Sequence, residues 1–138
     1  KPIAPDPRKP GHAMISSRGR PSISRAETIT NFRGVAFVRV FPETGRLHQV
    51  RVHLAAVGCP IVADRGYAPS GAPLYLSEFK RRYSTGDAGE KALVARQALH
   101  AESIELIHPT TSAPLKIEAP LPRDLAVAVK QLTKYALA

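Results

Sequence analysis

A chain of 138 residues is enough for one domain and too short for two ordinary ones. At 43% hydrophobic and 22% charged its composition is globular, which excludes a disordered tail, and no run approaches the ~18 apolar residues of a membrane-crossing helix. Twenty Lys and Arg against eleven Asp and Glu leave a net charge of +9, and residues 1–51 hold ten basic against three acidic groups, the remainder ten against eight. A positive field concentrated in this way suits a polyanion, and nucleic acid is the commonest one in a cell. The single cysteine, Cys59, makes no internal disulfide, so the expected compartment is the cytoplasm, with no membrane partner. The chain starts at Lys1 and has its only methionine at Met14, which gives the expectation of a piece of a longer protein.

Residues 1–24 are basic and place Pro at 2, 5, 7, 10 and 21 without an apolar period, so an extended or turning segment without a core of its own is expected. Arg25 to Asn31 is β-like, Arg33-Gly34 is turn-like, and Val35 to Val40 has the β-branched and aromatic content of a strand. Together they predict an antiparallel hairpin. Pro42-Glu43-Thr44-Gly45 then breaks the strand. Val50, Leu54 and Val57 lie at i, i+4 and i+7, predicting a helix over roughly His48 to Val57 that Gly58 stops. Cys59 to Asp64 reads as a short buried strand or loop, with Cys59 a small buried thiol. Residues 68–96 read as an insertion or loop, in which Leu74 to Tyr83 is a helix candidate and Ser84 to Gly89 a flexible loop. Leu99 to Ile107 and the alternating Leu115, Ile117 and Ala119 predict two further strands around the turn Pro109 to Pro114. An amphipathic helix from Asp124 to Leu137 closes the chain, with Leu125, Ala128, Leu132 and Tyr135 or Ala136 facing inward. The fold class is α+β with an antiparallel sheet.

The densest polar cluster is ETGRLHQVRVH, residues 43–53. It sets Arg46, His48, Gln49, Arg51 and His53 at a strand-to-helix junction, with Arg51 about 300° around an ideal helix from His48, close to the same face. A guanidinium fixed there holds a carboxylate or phosphate bidentately; the alternative is a solvated face with ordinary ion pairs. His53 is rotated by about 140° from His48, and a lone Cys59 supplies no closely spaced ligand pair, so no metal is expected. Asp64, after the apolar run Pro60 to Ala63, is either a catalytic carboxylate or a turn cap or arginine partner, and spacing favours the structural role. His100 and His108 flank a predicted strand and are read as structural hydrogen-bonding residues. Lys80-Arg81-Arg82 is read as a solvated face, and no glycine-rich phosphate loop is present.

The stretch GRLHQVRVHLAAVGCPIVAD (45–64), then Tyr67, LHAESIELIHP (99–109) and APLP (119–122), resembles the ribosomal large-subunit (RluA-type) pseudouridine synthases. Their pattern reads close to GRTHQIRVHLA..GHPIVGD..Y followed by LHA..L.F.HP. Cys59 stands where the pattern has His, and Ala63 where it has Gly. The resemblance implies a mixed, mainly antiparallel sheet flanked by helices, as part of a catalytic domain that isomerises uridine to pseudouridine in structured, ribosomal RNA. It implies no cofactor and no metal. The family's catalytic aspartate belongs to an HRLD-type motif that has no match here, and its stacking tyrosine belongs to the same preceding part. The resemblance therefore implies the C-terminal portion of the domain (1–138), inactive alone, with the N-terminal half of the same domain as a partner.

Carried over by position, Arg51 is the arginine that pairs with the catalytic aspartate outside this chain, and Leu99 is an apolar wall of the uracil pocket. Arg46, His48 and Gln49 either stabilise the junction or touch RNA, and Arg8, Lys9, Arg18, Arg20 and Arg25 follow the RNA backbone. A noncatalytic RNA-binding module of the same fold is the alternative. Apolar edges left without the rest of the domain give the expectation of a non-native dimer.

Overall fold

The computed structural model describes residues 1–84 and 89–138. Among them the strands form three separate antiparallel hairpins rather than the one continuous sheet expected, together with two α-helices. The α+β class holds; what is missing is any ladder that joins one hairpin to the next.

The longest hairpin pairs β3 (Ser24–Phe32) with β4 (Val35–Pro42), as predicted. Gly34 completes its turn at φ 83°, a left-handed conformation that a residue without Cβ adopts at no steric cost. The C-terminal helix, α2 (Arg123–Tyr135), also matches its prediction. Its Leu125, Ala128 and Leu132 are buried, and with Ala136 they pack on Phe32, Leu74, Phe79 and Val94 as the larger core. Each large apolar side chain in it contributes about 1.5–3 kcal/mol of burial. Asp124 accepts the Leu125 N–H at 2.9 Å and pairs with Arg96 at 2.8 Å, which sets a negative charge at the positive end of the helix. At the other end the Arg33 N–H donates to the Ala136 carbonyl at 2.7 Å, tying α2 to the β3–β4 turn.

Two segments depart from expectation. Leu74 to Tyr83 is not a helix: a single 3-10 turn, Leu76–Glu78, is all that forms. Leu74 is committed to an antiparallel bridge with Val94, its N–H donating to the Val94 carbonyl at 2.9 Å, and Phe79 is drawn into the core, so tertiary pairing overrides the helical period. The loop expected over Ser84 to Gly89 lies, at 85–88, outside the described residues. The proline-rich start is the second departure. Ile3–Pro5 (β1) and Ala13–Ile15 (β2) form a short hairpin. Ile3 and Ala13 are buried against Val52 of α1 (Gln49–Ala55), making a second, small core. The segment thus has no core of its own but completes one with α1.

The third hairpin joins β5 (Ser103–Ile107) to β6 (Pro114–Glu118). β5 starts four residues later than predicted; ahead of it the Ala98 N–H is spent on the Val62 carbonyl at 2.9 Å and the Leu99 N–H on the Gln97 carbonyl at 2.8 Å. Apolar side chains of both strands stay in solvent, with Ile104 and Ile107 of β5 and Ile117 of β6 at 55%, 64% and 52% exposure. No helix among the described residues is long and apolar enough to cross a membrane.

Candidate functional site

The site is built where α1 meets the loop that ends at Asp64. Ala63 takes φ 56°, and the chain folds back so that the Asp64 carbonyl accepts N–H groups from Tyr67 at 3.3 Å and Ala68 at 2.9 Å. This turns the Asp64 side chain inward, where the residue is 1% exposed. Arg51 meets it with a fork: Nε donates to Oδ2 at 2.9 Å and Nη2 to Oδ1 at 2.7 Å. The Gly66 N–H adds a third donor to Oδ1 at 2.9 Å. The Arg51 hydrogen bonds hold the Asp64 carboxyl below the usual carboxylate range, helped by the Gly66 N–H and opposed by burial. The same pair raises the already high pKa of Arg51.

Tyr67 locks the other side of Arg51. Its ring lies under the guanidinium, 4.7 Å from Cζ to the ring centroid. Its hydroxyl accepts the Ala13 N–H at 2.9 Å and stands within hydrogen-bond distance, 2.8 Å, of His48 Nδ1. One phenol therefore joins β2, α1 and the Asp64 turn. Burial, then the Arg51 cation and His12, push the His48 pKa down, favouring the neutral ring. His12 closes the cluster, its ring centroid 5.8 Å from His48 and 5.5 Å from Tyr67.

The structure gives Arg51 a carboxylate partner inside the chain, where the resemblance implied one outside it, and of the two roles left open for Asp64 it shows arginine partner. Arg51 spends Nε and Nη2 on Asp64; Nη1 makes no hydrogen bond among the described residues, and the side chain keeps 16% exposure. Gln49 takes the structural branch of its alternatives. It is 4% exposed; its Oε1 accepts from Thr44 Oγ1 at 2.8 Å and its Nε2 donates to the Ile23 carbonyl at 2.8 Å and to Ser24 Oγ at 2.9 Å. Its donors and acceptor are thus used at the junction. His53 is likewise held between Ser24 Oγ at 3.0 Å and the Lys1 carbonyl at 2.8 Å.

Lys9 reaches the Gly66 carbonyl at 3.4 Å and so stands beside the Asp64 turn. Arg8 and Arg25 are exposed and paired with Asp6 and Glu43. Arg18, Arg20 and Arg46 gather at one concavity beside β1. Leu99 is 39% exposed, one residue past the Ala98–Val62 bond that ties its segment to the Asp64 loop. His100 and His108 make structural bonds, to the Ala119 carbonyl and from the Thr110 and Thr111 N–H groups. Cys59 corrects its expectation: the thiol is exposed, because Gly58 at φ 79° turns the chain out of α1. Sequence reasoning missed His12 altogether and gave Tyr67 no role. The only signal for Tyr67 was its place three residues after Asp64, one tight turn away.

Comparison with known proteins finds relatives along nearly the whole chain. The chain is 35% identical over 135 residues to an RNA pseudouridine synthase of Chloroflexus aurantiacus, covering 98% of this chain and 37% of that protein. It is also 32% identical over 137 residues to ribosomal large subunit pseudouridine synthase D of Pasteurella multocida, covering 96% and 39%. With the enzyme of the same name from Escherichia coli the figures are 30% over 135 residues, 94% and 38%. Along nearly its whole length, then, the chain is related to the RluA-type pseudouridine synthases, and it spans under two-fifths of the length of these relatives. No protein-family profile matches it.

Proposed function

We propose that the chain is a portion of a pseudouridine synthase catalytic domain acting on uridine in structured, ribosomal RNA, and that Arg51 is its contribution to the reacting centre. The observation that carries this reading is the half-used fork of Arg51. Asp64 fixes Nε and Nη2, Tyr67 fixes the plane, and Nη1 is left to hold a second carboxylate or an RNA group. A cation so placed lowers a carboxylate's pKa and, above all, aims it. In the net reaction the N1–C1′ bond of uridine breaks, a C5–C1′ bond forms, the C5 hydrogen leaves as a proton and N1 gains one. No oxidant, reductant or metal is consumed. The target base has to leave its stack to be reached.

The test is tritium release from ribosomal RNA labelled at uridine C5, by this chain alone and by the complete gene product that carries it. Release by the complete product, lost in Arg51→Ala with the fold retained, is the expected result. Release by the chain alone would move the nucleophile to Asp64 and overturn the role given to Arg51. A second reading, the noncatalytic RNA-binding module, is favoured by one observation: Arg51 already has a full bidentate partner in Asp64. RNA binding without tritium release by the complete product would establish it.

A further inference from the structure

Beside β1 and the approach to α1 lies a cavity of about 340 Å³. Its apolar lining includes Ile3, Pro5 and Leu47, its charged lining is Arg18, Arg20 and Arg46, and no carboxylate lines it. Arg8, Arg25, Arg39, Arg51 and Arg96 each have a carboxylate partner, whereas among the described residues Arg18, Arg20 and Arg46 have none, as is also true of Arg33, Arg65, Arg81, Arg82 and Arg123; what sets the three apart is that they line one concavity. Arg46 goes further, since its Nε is buried with no hydrogen-bond partner among the described residues. A buried donor left unsatisfied is costly, so it points to an acceptor from outside the chain.

The arrangement is built rather than incidental. Arg20 and Ile3 exchange both backbone hydrogen bonds, at 2.8 and 2.9 Å, which lays the Arg18–Arg20 stretch along β1. Gly19 makes this approach possible: a Cβ there would stand 2.5 Å from the Ile3 carbonyl carbon and 2.6 Å from its oxygen. Leu47, next to Arg46, keeps a large apolar side chain 53% exposed at the same place. The cavity also shares β2 with the Arg51 cluster, because Ala13 lines it and donates its N–H to the Tyr67 hydroxyl.

We propose that this cavity is a nucleotide subsite for single-stranded RNA, in which Arg18, Arg20 and Arg46 hold a phosphodiester while Leu47 and Pro5 receive the adjoining base. This rests on the RNA-directed reading of the chain and gives it a location. Three cations without a carboxylate call for an anion, and arginine forks match phosphate oxygens. The apolar lining calls for more than phosphate. A duplex stacks its bases away from such a surface, whereas a single strand presents an unstacked face to it. The volume lies at the small end of ligand sites, about 300–1,000 Å³, and suits one nucleotide.

The test follows the Arg Nε–Hε NMR signals of this chain during titration with the dinucleotide UpU, with uridine and with inorganic phosphate. UpU is expected to shift the Arg46 signal at concentrations where uridine and phosphate alone do little. A phosphate titration matching UpU would reduce the cavity to a simple anion site and overturn the nucleotide assignment. In parallel, affinity for a uridine-rich single-stranded RNA is measured against salt. Arg18→Gln with Arg20→Gln should flatten the slope of log K against log salt by about 0.7 for each phosphate that is no longer neutralised. Arg123→Gln, the removal of a charge on α2, is the control for general electrostatics. RNA binding that persists and weakens equally in Arg123→Gln and in the cavity variants would overturn the subsite and leave the RNA reading standing. No RNA binding by the parent chain would overturn both.

Discussion

Gly66→Ala tests whether the Arg51–Asp64 fork is held as tightly as its geometry indicates. A Cβ at Gly66 would lie 2.6 Å from Arg51 Nη2, 3.1 Å from His12 Nε2 and 3.3 Å from Asp64 Oδ1. An ordinary contact needs about 3.5 Å, so Nη2 has to retreat by about 0.9 Å. The end of a free arginine would do so at little cost. Here the guanidinium is pinned by Asp64 on one side and lies over the Tyr67 ring on the other. The retreat opens the 2.7 Å Nη2–Oδ1 bond and leaves the Nε–Oδ2 bond in place. The cost is that of one charge-assisted hydrogen bond, about 2 kcal/mol, below the roughly 3–5 kcal/mol of breaking a buried pair outright. For a domain of this size that lowers Tm by about 6–10 °C. Gly45→Ala is the matched control, since a Cβ there meets nothing within 4 Å. Urea and thermal unfolding of both variants, repeated in an Arg51→Lys background that lacks the Nη2 arm, complete a double-mutant cycle. A Gly66→Ala penalty equal to that of Gly45→Ala, or undiminished in Arg51→Lys, would refute the clamped fork.

Ala63→Gly should change stability by less than about 0.5 kcal/mol, because relief of the left-handed strain offsets the lost methyl burial and the freer unfolded chain. Ala128→Gly, equally buried but inside α2, should cost about 1.5–2 kcal/mol by the same unfolding measurement. In pH titrations of stability, His48 binds fewer protons folded than unfolded, since its pKa is lowered. Its contribution is complete above the ordinary histidine value and falls away as pH drops through and below it; Asp64 acts with the same sign at lower pH, from the carboxylate range downward. The urea midpoint difference between pH 7.5 and 5 should therefore shrink in His48→Asn, a residue that tolerates the φ of 52°, and an unchanged difference would refute the assignment. Light scattering of the isolated chain at high concentration should show dimers through the exposed β5–β6 ribbon, with a monodisperse monomer as the contrary result.

What the sequence revealed and hid divides by distance along the chain. The β3–β4 hairpin and α2 were legible because VAFVRV, the Arg33-Gly34 turn and the 3.6-residue stripe of Leu125, Ala128 and Leu132 are local signals. Arg51 was legible as a fork looking for an anion. Its partner was visible only as a choice, since spacing alone cannot say which way the Ala63 turn throws the Asp64 side chain. The bond from Ala13 to the Tyr67 hydroxyl spans 54 residues, and no periodicity carries it. Leu74 to Tyr83 failed for the same reason, because the bridge to Val94 outweighed the local pattern. Cys59 failed on a single backbone angle, that of Gly58.

The half-used fork also decides what Arg51 can contribute to a reaction. A carboxylate brought to Nη1 at about 4 Å would gain about 4 kcal/mol from a lone cation at an effective dielectric of about 20. Asp64, about 7 Å away on the far side of the fork, takes back about 2.4 kcal/mol of that. The remainder, about 1.8 kcal/mol, lowers the pKa of the second carboxylate by little more than one unit. With an ordinary pKa several units below neutrality, an aspartate needs no such help to be ionised at pH 7. What Arg51 then supplies is direction: the Nη1 donor is aimed because Asp64 fixes Nε and Nη2 and Tyr67 fixes the plane. Arg51→Lys, which keeps the charge and loses the fork, should therefore reduce tritium release by the complete gene product nearly as far as Arg51→Ala. Recovery of most of the activity by lysine would show that charge outweighs orientation and would sink this division of labour.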